Sequence, residues 1–340
     1  FYEKHLTTFC YNIAKEIQSL GNKKKFNLTY GQHPIFLETT AFNKARNYLF
    51  THGRPLERAQ FSRIFEGGSE ELVLKALLSY QNDDGGFGHG LEPDLRTSHS
   101  SALCTSVALQ ILKEHKTKCL MTTISRALSF LKDSFDEENS TWRIIPLSAQ
   151  KHPHAPWWNQ SEPEDVFSIF RMNPTAELLG YFIEFAESTY TQFTTSLAEV
   201  VAMKLNEVVE PSMHDLLCLL RLFQTEGLSE SLKDSLFRFL SIQVLKCVEL
   251  DPSQWKNYCL QPLQIAKSPD SLFFPDLEEY VEVNLNAEIS SQNEDGSWTP
   301  SWTWGEQDPV SWKETKREWS GVLTLEKLKV LKQYDRLISN

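Results

Sequence analysis

Apolar residues recur along most of the chain at helical spacing. Between Ser69 and Tyr80, the side chains of Leu72, Val73, Ala76, Leu77 and Tyr80 share one face, with Ser69 in capping position and Glu70 and Glu71 favouring the positive helix end. From about Ser98 to Lys113 the pattern repeats with Leu103, Val107, Ile111 and Leu112 in register, which predicts a helical hairpin. Asn173-Pro174 reads as a cap with proline at the first helical position, opening the run "TAELLGYFIEFAES". Ser212 to Asp215 reads as a capping box for "DLLCLLRLFQ". Further helices are expected at 38–52, 121–134, 191–209, 229–248, 275–292 and 320–337. Long alternating β-branched runs are absent, so strand content should be minor.

About a dozen helices without a low-complexity linker leave an open solenoid or a closed ring of hairpins. A repeated phrase bears on that choice. "QNDDGGF" at 81–87 and "QNEDGSW" at 292–298 share glutamine, Asp-Gly and an aromatic ring at equal spacing, and "FDEENSTWR" is a degenerate third copy with Trp142 as the ring. The glutamine amide can satisfy orphan backbone groups at a helix end, while glycine allows a tight turn that folds the ring back on the hairpin. The phrase resembles the QW motifs of terpenoid cyclases and protein prenyltransferase β-subunits. That resemblance implies an all-α fold, an α/α toroid of inner and outer helices occupying residues 1–340 as a single domain. Residues 84–96, 153–158, 173–177 and 298–319 are similar to segments of single-domain bacterial squalene-cyclase-like proteins of unassigned activity.

Composition narrows the function classes. Of 340 residues, 41% are hydrophobic and 23% charged, enough apolar material for a large core. The net charge of −11 opposes nucleic-acid binding, and the basic run Lys23 to Lys25 is short. No stretch has the roughly 20 apolar residues of a membrane span, which leaves at most peripheral membrane contact, and no signal-peptide layout is evident. Six scattered cysteines (Cys10, Cys104, Cys119, Cys218, Cys247 and Cys259) outweigh three glycosylation sequons at Asn27, Asn139 and Asn159 and predict a cytoplasmic location. Oligomeric state is not legible in the sequence.

Residues just before inner-helix N-termini would converge on one mouth of a toroid. Glu92 and Asp94 flank Pro93, whose neighbour is held extended, so both carboxyls can face one way and each raises the other's pKa. A carboxylic acid kept protonated in an apolar pocket suits a protonation-initiated cyclase, with Asp94 the leading candidate and Glu92 the second. The alternative has Asp94 capping the next helix and Arg96 paired with Glu92.

His154 with Trp157 and Trp158 either lines a binding site, where the rings would stabilise a cation, or plugs one end with apolar surface. Trp302, Trp304 and Trp312, with Trp298 and Trp319, form the densest aromatic cluster and serve as pocket or core. Trp255 and Tyr258 belong to a loop expected at the same rim. Arg317 pairs with Glu318 or receives an anion. Glu177 and Asp215 begin their helices, where the dipole alone favours acids. His214, Asp215 and Cys218 supply no complete zinc set, so no metal is expected, with Mg²⁺ entering only for a diphosphate substrate.

The favoured reading is a terpene-cyclase-like enzyme acting on an apolar isoprenoid, although the Asp-x-Asp-Asp and aspartate-rich motifs of such enzymes are missing. A carbohydrate-active toroid with two carboxylates across a sugar bond, or a non-catalytic binding toroid, are the alternatives. Protein prenylation ranks below them, since it would also need zinc and a partner subunit.

Overall fold

The computed structural model describes residues 33–115, 120–160, 167 and 169–338. Cys10, Cys119, the Lys23 to Lys25 run and the Asn27 sequon lie outside the described residues. Helices dominate: α1 Thr39–His52, α2 Pro55–Phe65, α3 Glu70–Leu78, α4 Ala102–Lys113, α5 Met121–Asp133, α6 Met172–Phe185, α7 Thr191–Leu205, α8 Met213–Phe223, α9 Glu230–Cys247, α10 Pro262–Ile265, α11 Phe274–Ser290 and α12 Pro309–Gln333. Among the described residues the named strands are the two-residue pair β1 Phe135–Asp136 and β2 Thr141–Trp142, antiparallel to each other.

Burial sorts the helices into two kinds. In α5 the fully buried Ile124, Ala127, Leu128 and Leu131 make one stripe at i, i+3, i+4 and i+7, and α7 buries Leu197, Val201 and Leu205. Such helices border solvent on their other face. In α6, by contrast, residues from Pro174 to Phe182 are all buried, and α4 buries Cys104, Thr105, Ala108 and Leu109. Those helices have protein on most sides. The expected α4 stripe of Leu103, Val107 and Ile111 is only half-buried, because small residues on the opposite side let α4 approach its neighbours closely.

Consecutive helices pack as neighbours, α6 most extensively against α8, and α12 packs against both α1 and α2. The two described ends therefore meet. Leu37 and Leu337 form a parallel bridge, with Leu37 N–H donating to the Arg336 carbonyl at 2.8 Å and Ile338 N–H to the Leu37 carbonyl at 3.1 Å. One hydrophobic cluster runs from Leu37 to Leu331.

The repeated phrase builds two closely matching turns. Gln81 Nε2 donates to the Gly85 carbonyl and Gln292 Nε2 to the Gly296 carbonyl, each at 2.9 Å. Gly85 and Gly296 have φ of 90° and 91°, a region that favours glycine. The ring residue's backbone N–H donates to a threonine of the following helix in both: Phe87 to Thr105 at 3.1 Å and Trp298 to Thr324 at 3.0 Å. The glutamine thus closes the turn on its own glycine carbonyl instead of satisfying a helix end, and Gln292 also reaches the Ala41 carbonyl. The helix-end carbonyl is met by the indole, Trp298 Nε1 to Glu288 at 2.8 Å. Trp142 Nε1 repeats this on Leu131 at 2.6 Å, which makes the degenerate third copy a structural one.

Caps follow the sequence at Ser69, which accepts from Glu71 N–H, and at Ser212, which makes the full capping box with Asp215. Asn173 differs: it is extended, and its side-chain oxygen faces the Cys218 thiol. The second hairpin helix begins at Ala102 under a Ser101 cap, since Ser101 is held in an extended bridge to Phe87. The helix α12 begins at Pro309, eleven residues before the expected start, with Asp308 accepting from Ser311 N–H.

A Cβ at Gly296 would lie 2.3 Å from the Lys44 carbonyl carbon on α1. Gly296→Ala should therefore destabilise by roughly 2–3 kcal/mol, combining positive-φ strain with a backbone clash. Gly305→Ala, at a positive φ but with no atom within 4 Å of its Cβ, should lose less. Urea denaturation of both variants checks the order.

Candidate functional site

The loop from Gly88 to Thr97 is fixed from three sides. Arg54, buried at the start of α2, donates to the Gly90 and Leu91 carbonyls at 2.9 and 3.0 Å while its other nitrogens bind Glu57 at 2.9 and 2.6 Å. This pairing leaves no unsatisfied buried charge. From α12, Thr315 Oγ1 donates to the Pro93 carbonyl at 3.3 Å, and Arg96 Nη1 donates to Glu318 at 3.0 Å. The loop carrying His154 supplies the third side: Ala155 N–H donates to the Asp94 carbonyl at 2.9 Å, and Arg96 N–H to the Pro153 carbonyl at 3.1 Å.

This clamp presents the two carboxyls. Asp94, 3% exposed, accepts from Trp304 Nε1 at 2.7 Å and from Trp302 Nε1 at 3.2 Å. Burial lifts its pKa to about 6, and the indole donors hold it from rising further. Trp319 faces the same carboxylate closely enough to favour its charged form, yet its N–H is buried and outside hydrogen-bond geometry. Glu92 lies well above the ordinary carboxyl range, first from burial and then from the charge on Asp94, and its Oε2 is buried without a partner. The geometry replaces the capping and Glu92–Arg96 alternative: Ser101 caps α4, and Arg96 binds Glu318.

Beside the carboxyls, Tyr258 stands edge-on to Trp302, with ring centroids 5.5 Å apart, and its hydroxyl meets His214 Nε2 at 3.0 Å. Tyr258 is 52% exposed although burial raises its pKa, with the charges of Asp94 and Glu92 adding to the shift. His214 is pulled below the ordinary histidine value by burial, which suits a neutral ring accepting from the phenol. Trp312 packs at 33° to Trp304, centroids 5.9 Å apart, and backs the carboxylate's indole partner.

Other expected site residues are engaged elsewhere. His154 meets the His152 carbonyl at 2.6 Å and Asn159 Oδ1 at 3.0 Å, so both ring nitrogens are bonded within its loop. Trp157 is 45% exposed, and Trp158 leans on Phe167. Glu177 joins α6 to α8, accepting from Tyr181 at 2.6 Å and from Arg221 at 2.8 Å. Asp215 completes its capping box and accepts from Asn173 N–H at 2.9 Å. Trp255 is buried, its N–H on the Glu249 carbonyl at 2.8 Å. Arg317 is an exposed partner of Glu314 at 3.7 Å.

Sequence reasoning missed Arg54, Glu57 and the role of His214. Pro55 after Arg54 was the available signal, since proline at a first helical position marks a start. Among the described residues no group of three or more His, Cys, Asp or Glu is placed to hold a metal ion, and no helix is long and apolar enough to cross a membrane. The described cysteines Cys104, Cys218, Cys247 and Cys259 carry free thiols. A cleft of about 340 Å³ beside Val73, Leu77 and His115 and one of about 380 Å³ beside Phe135 and Phe193 lie away from the carboxyls. The chain matches no protein-family model and no curated protein.

Both carboxyls bind protons more tightly folded than unfolded. Stability from them is full at low pH and is lost as pH rises from about 4 through the folded values. Near neutral pH folding makes Glu92 take up a proton that the unfolded chain does not hold, a cost that an amide does not carry. Glu92→Gln should then stabilise by about 1–3 kcal/mol at pH 7.5, with the gain shrinking toward pH 4. Thermal unfolding across that range tests it, and a lower melting temperature at pH 7.5 would refute the assignment.

Proposed function

We propose that the chain is an α/α toroid of the terpenoid cyclase and prenyltransferase superfamily, and that it protonates an apolar isoprenoid at the Glu92–Asp94 pair. The toroid reading is supported by the alternation of one-face and fully enclosed helices, by the meeting of the chain's described ends, and by the Gly296 turn, which sets the α11–α12 hairpin against α1. The single observation carrying the activity is Glu92: its carboxyl has an unpaired, buried oxygen and is raised by the charge of Asp94, which two indoles hold.

In this mechanism Glu92 is the acid and Asp94 its positioning partner, reversing the order expected from sequence. Indole donors favour the ionised form of Asp94, and that charge keeps the proton on Glu92. The Glu92 proton passes to one carbon of an alkene, whose π electrons form the new C–H bond and leave a cation on the other carbon. The faces of Trp302 and Tyr258 stabilise the cation. Attack by a second alkene closes a ring, and loss of a proton from a neighbouring carbon ends the reaction and restores the acid. No Asp-x-Asp-Asp tetrad takes part, and Mg²⁺ enters only if the substrate carries a diphosphate.

The test is mass spectrometry of products from the purified protein with isoprenoid diphosphates and squalene-like hydrocarbons, with and without Mg²⁺. A cyclic product is expected, with kcat reduced about 10²- to 10⁴-fold in Glu92→Gln. Asp94→Asn should move the basic limb of the pH profile downward, because the charge that holds the Glu92 proton is gone. Absence of turnover across the panel, or an undiminished Glu92→Gln, would overturn the reading; cleavage of a glycoside instead would favour a carbohydrate-active toroid.

A further inference from the structure

A cleft between α3 and the end of α4 lies apart from the carboxyl pair and takes no part in the chemistry proposed there. Its apolar walls follow from the helix period: Val73, Leu74 and Leu77 share one side of α3, and Ile111 and Leu112 come from the last turn of α4. Val73, Leu77 and Leu112 form a buried floor. The volume of about 340 Å³ falls within the range of small-molecule sites, roughly 300–1,000 Å³.

One polar ring interrupts this lining. His115 lies a turn beyond Ile111, its backbone N–H on the Leu112 carbonyl at 3.1 Å, and its side chain is 11% exposed. Both ring nitrogens are buried, and no described residue hydrogen-bonds either of them. Nδ1 stands 3.9 Å from Glu70 Oε1, beyond bonding distance. His154, by contrast, is bonded through both nitrogens. Buried polar groups in folded chains are almost always partnered, and leaving one unmet is costly. An unmet imidazole on the wall of an apolar cleft therefore marks the place of a partner that the chain does not supply.

The charges facing the ring are balanced. Glu70 is held by Arg63 at 2.8 Å and Glu114 by Lys329 at 2.9 Å, so each carboxylate has its own cation. Burial outweighs the two carboxylates and draws the ring below the ordinary histidine value, while Arg63 and Lys329 act in the same direction. A neutral imidazole offers one donor and one acceptor. A carboxylate ligand only accepts and would meet Glu70, whereas an ammonium only donates and would place its charge among aliphatic side chains. A hydroxyl donates and accepts without charge, and no aromatic ring lines the cleft. We infer that this cleft binds a small aliphatic alcohol, its chain against α3 and α4 and its hydroxyl hydrogen-bonded to His115. The inference uses neither Glu92 nor Asp94 and stands or falls apart from the cyclase reading.

The probe is 1-octanol, with octanoate and protonated octylamine as charged controls of similar length. Binding is measured by calorimetry on the full chain, and the histidine ring nitrogens are followed by nitrogen-15 NMR. Octanol should bind more tightly than either control and shift the His115 signals, which are assigned by their loss in His115→Leu. His115→Leu should weaken octanol about 3- to 10-fold, the effect of one hydrogen bond. His115→Gln, which keeps a donor and an acceptor, should retain most of the affinity and so separates a lost hydrogen bond from lost folding. Leu74→Trp should obstruct the cleft and remove binding, while Glu92→Gln should leave the affinity unaltered. Octanol affinity unchanged in both His115→Leu and Leu74→Trp would overturn the inference. So would His115 nitrogens unmoved at saturating octanol, or a charged control bound as tightly as the alcohol.

Discussion

The architecture depends on a backbone turn that puts a glycine Cα where no side chain fits. At Gly85 an added Cβ would sit 2.4 Å from the Arg126 carbonyl of α5, and at Gly296 2.3 Å from the Lys44 carbonyl carbon of α1. Each turn closes on its own glutamine and then abuts a helix from another hairpin. The absence of a Cβ lets each turn's backbone approach that helix more closely than any other residue would allow. The Gly296 turn acts across more than 250 residues of sequence and brings the last hairpin against the first. Arg126 adds to the first turn by donating to the Asn82 and Asp83 carbonyls at 3.0 and 3.2 Å.

The turn at Gly85 also carries the candidate site, because the chain leaving it has one route to α4 and that route passes beneath α12. Arg54, Thr315 and Arg96 turn the route into a rigid shelf. Desolvation then separates the two carboxyls. Asp94 avoids the full penalty through two indole N–H bonds, whereas Glu92 leaves one oxygen unpaired and answers by holding its proton. Two carboxyls two residues apart thus separate into unlike roles through their neighbours alone.

Much of this was legible in the sequence, and the parts that were not share a cause. Apolar periodicity and caps located α1, α3 and most later helices, because their buried stripes are aliphatic. The helix α2 escaped notice because Glu57 and Gln60 lie among its buried positions, so the apolar stripe has gaps. The first three turns of α12 escaped for the same reason, with Thr315 and Glu318 buried where leucines would signal a helix. The convergence of Glu92 and Asp94 with Trp302, Trp304 and Tyr258 was expected from helix-mouth logic. The capping role of Asp215 was also legible, from the Ser212 to Asp215 spacing, whereas the partners of His154 and Glu177 were not, because only tertiary hydrogen bonds distinguish a lining residue from a structural one. Trp319 shows the converse, an indole on a helix whose role depends on a residue 225 positions earlier.

Charge is distributed along α4, α8 and α12 in keeping with their dipoles. The carboxyl pair sits by the N-terminus of α4, with His214 opening α8, while Arg221, Lys267 and Lys329 gather toward the C-terminal ends of α8, α10 and α12. Positive helix ends favour anions and negative ends favour cations by about 0.3–1 kcal/mol each. That stabilises Arg221 and Lys329 together with their carboxylate partners. It is too small at the other end to overcome the desolvation of an unpaired carboxylate, commonly several kcal/mol. The same alignment of helices therefore leaves the cation end ionised and lets Glu92 stay neutral, and the difference between the ends follows from which groups have hydrogen-bond partners.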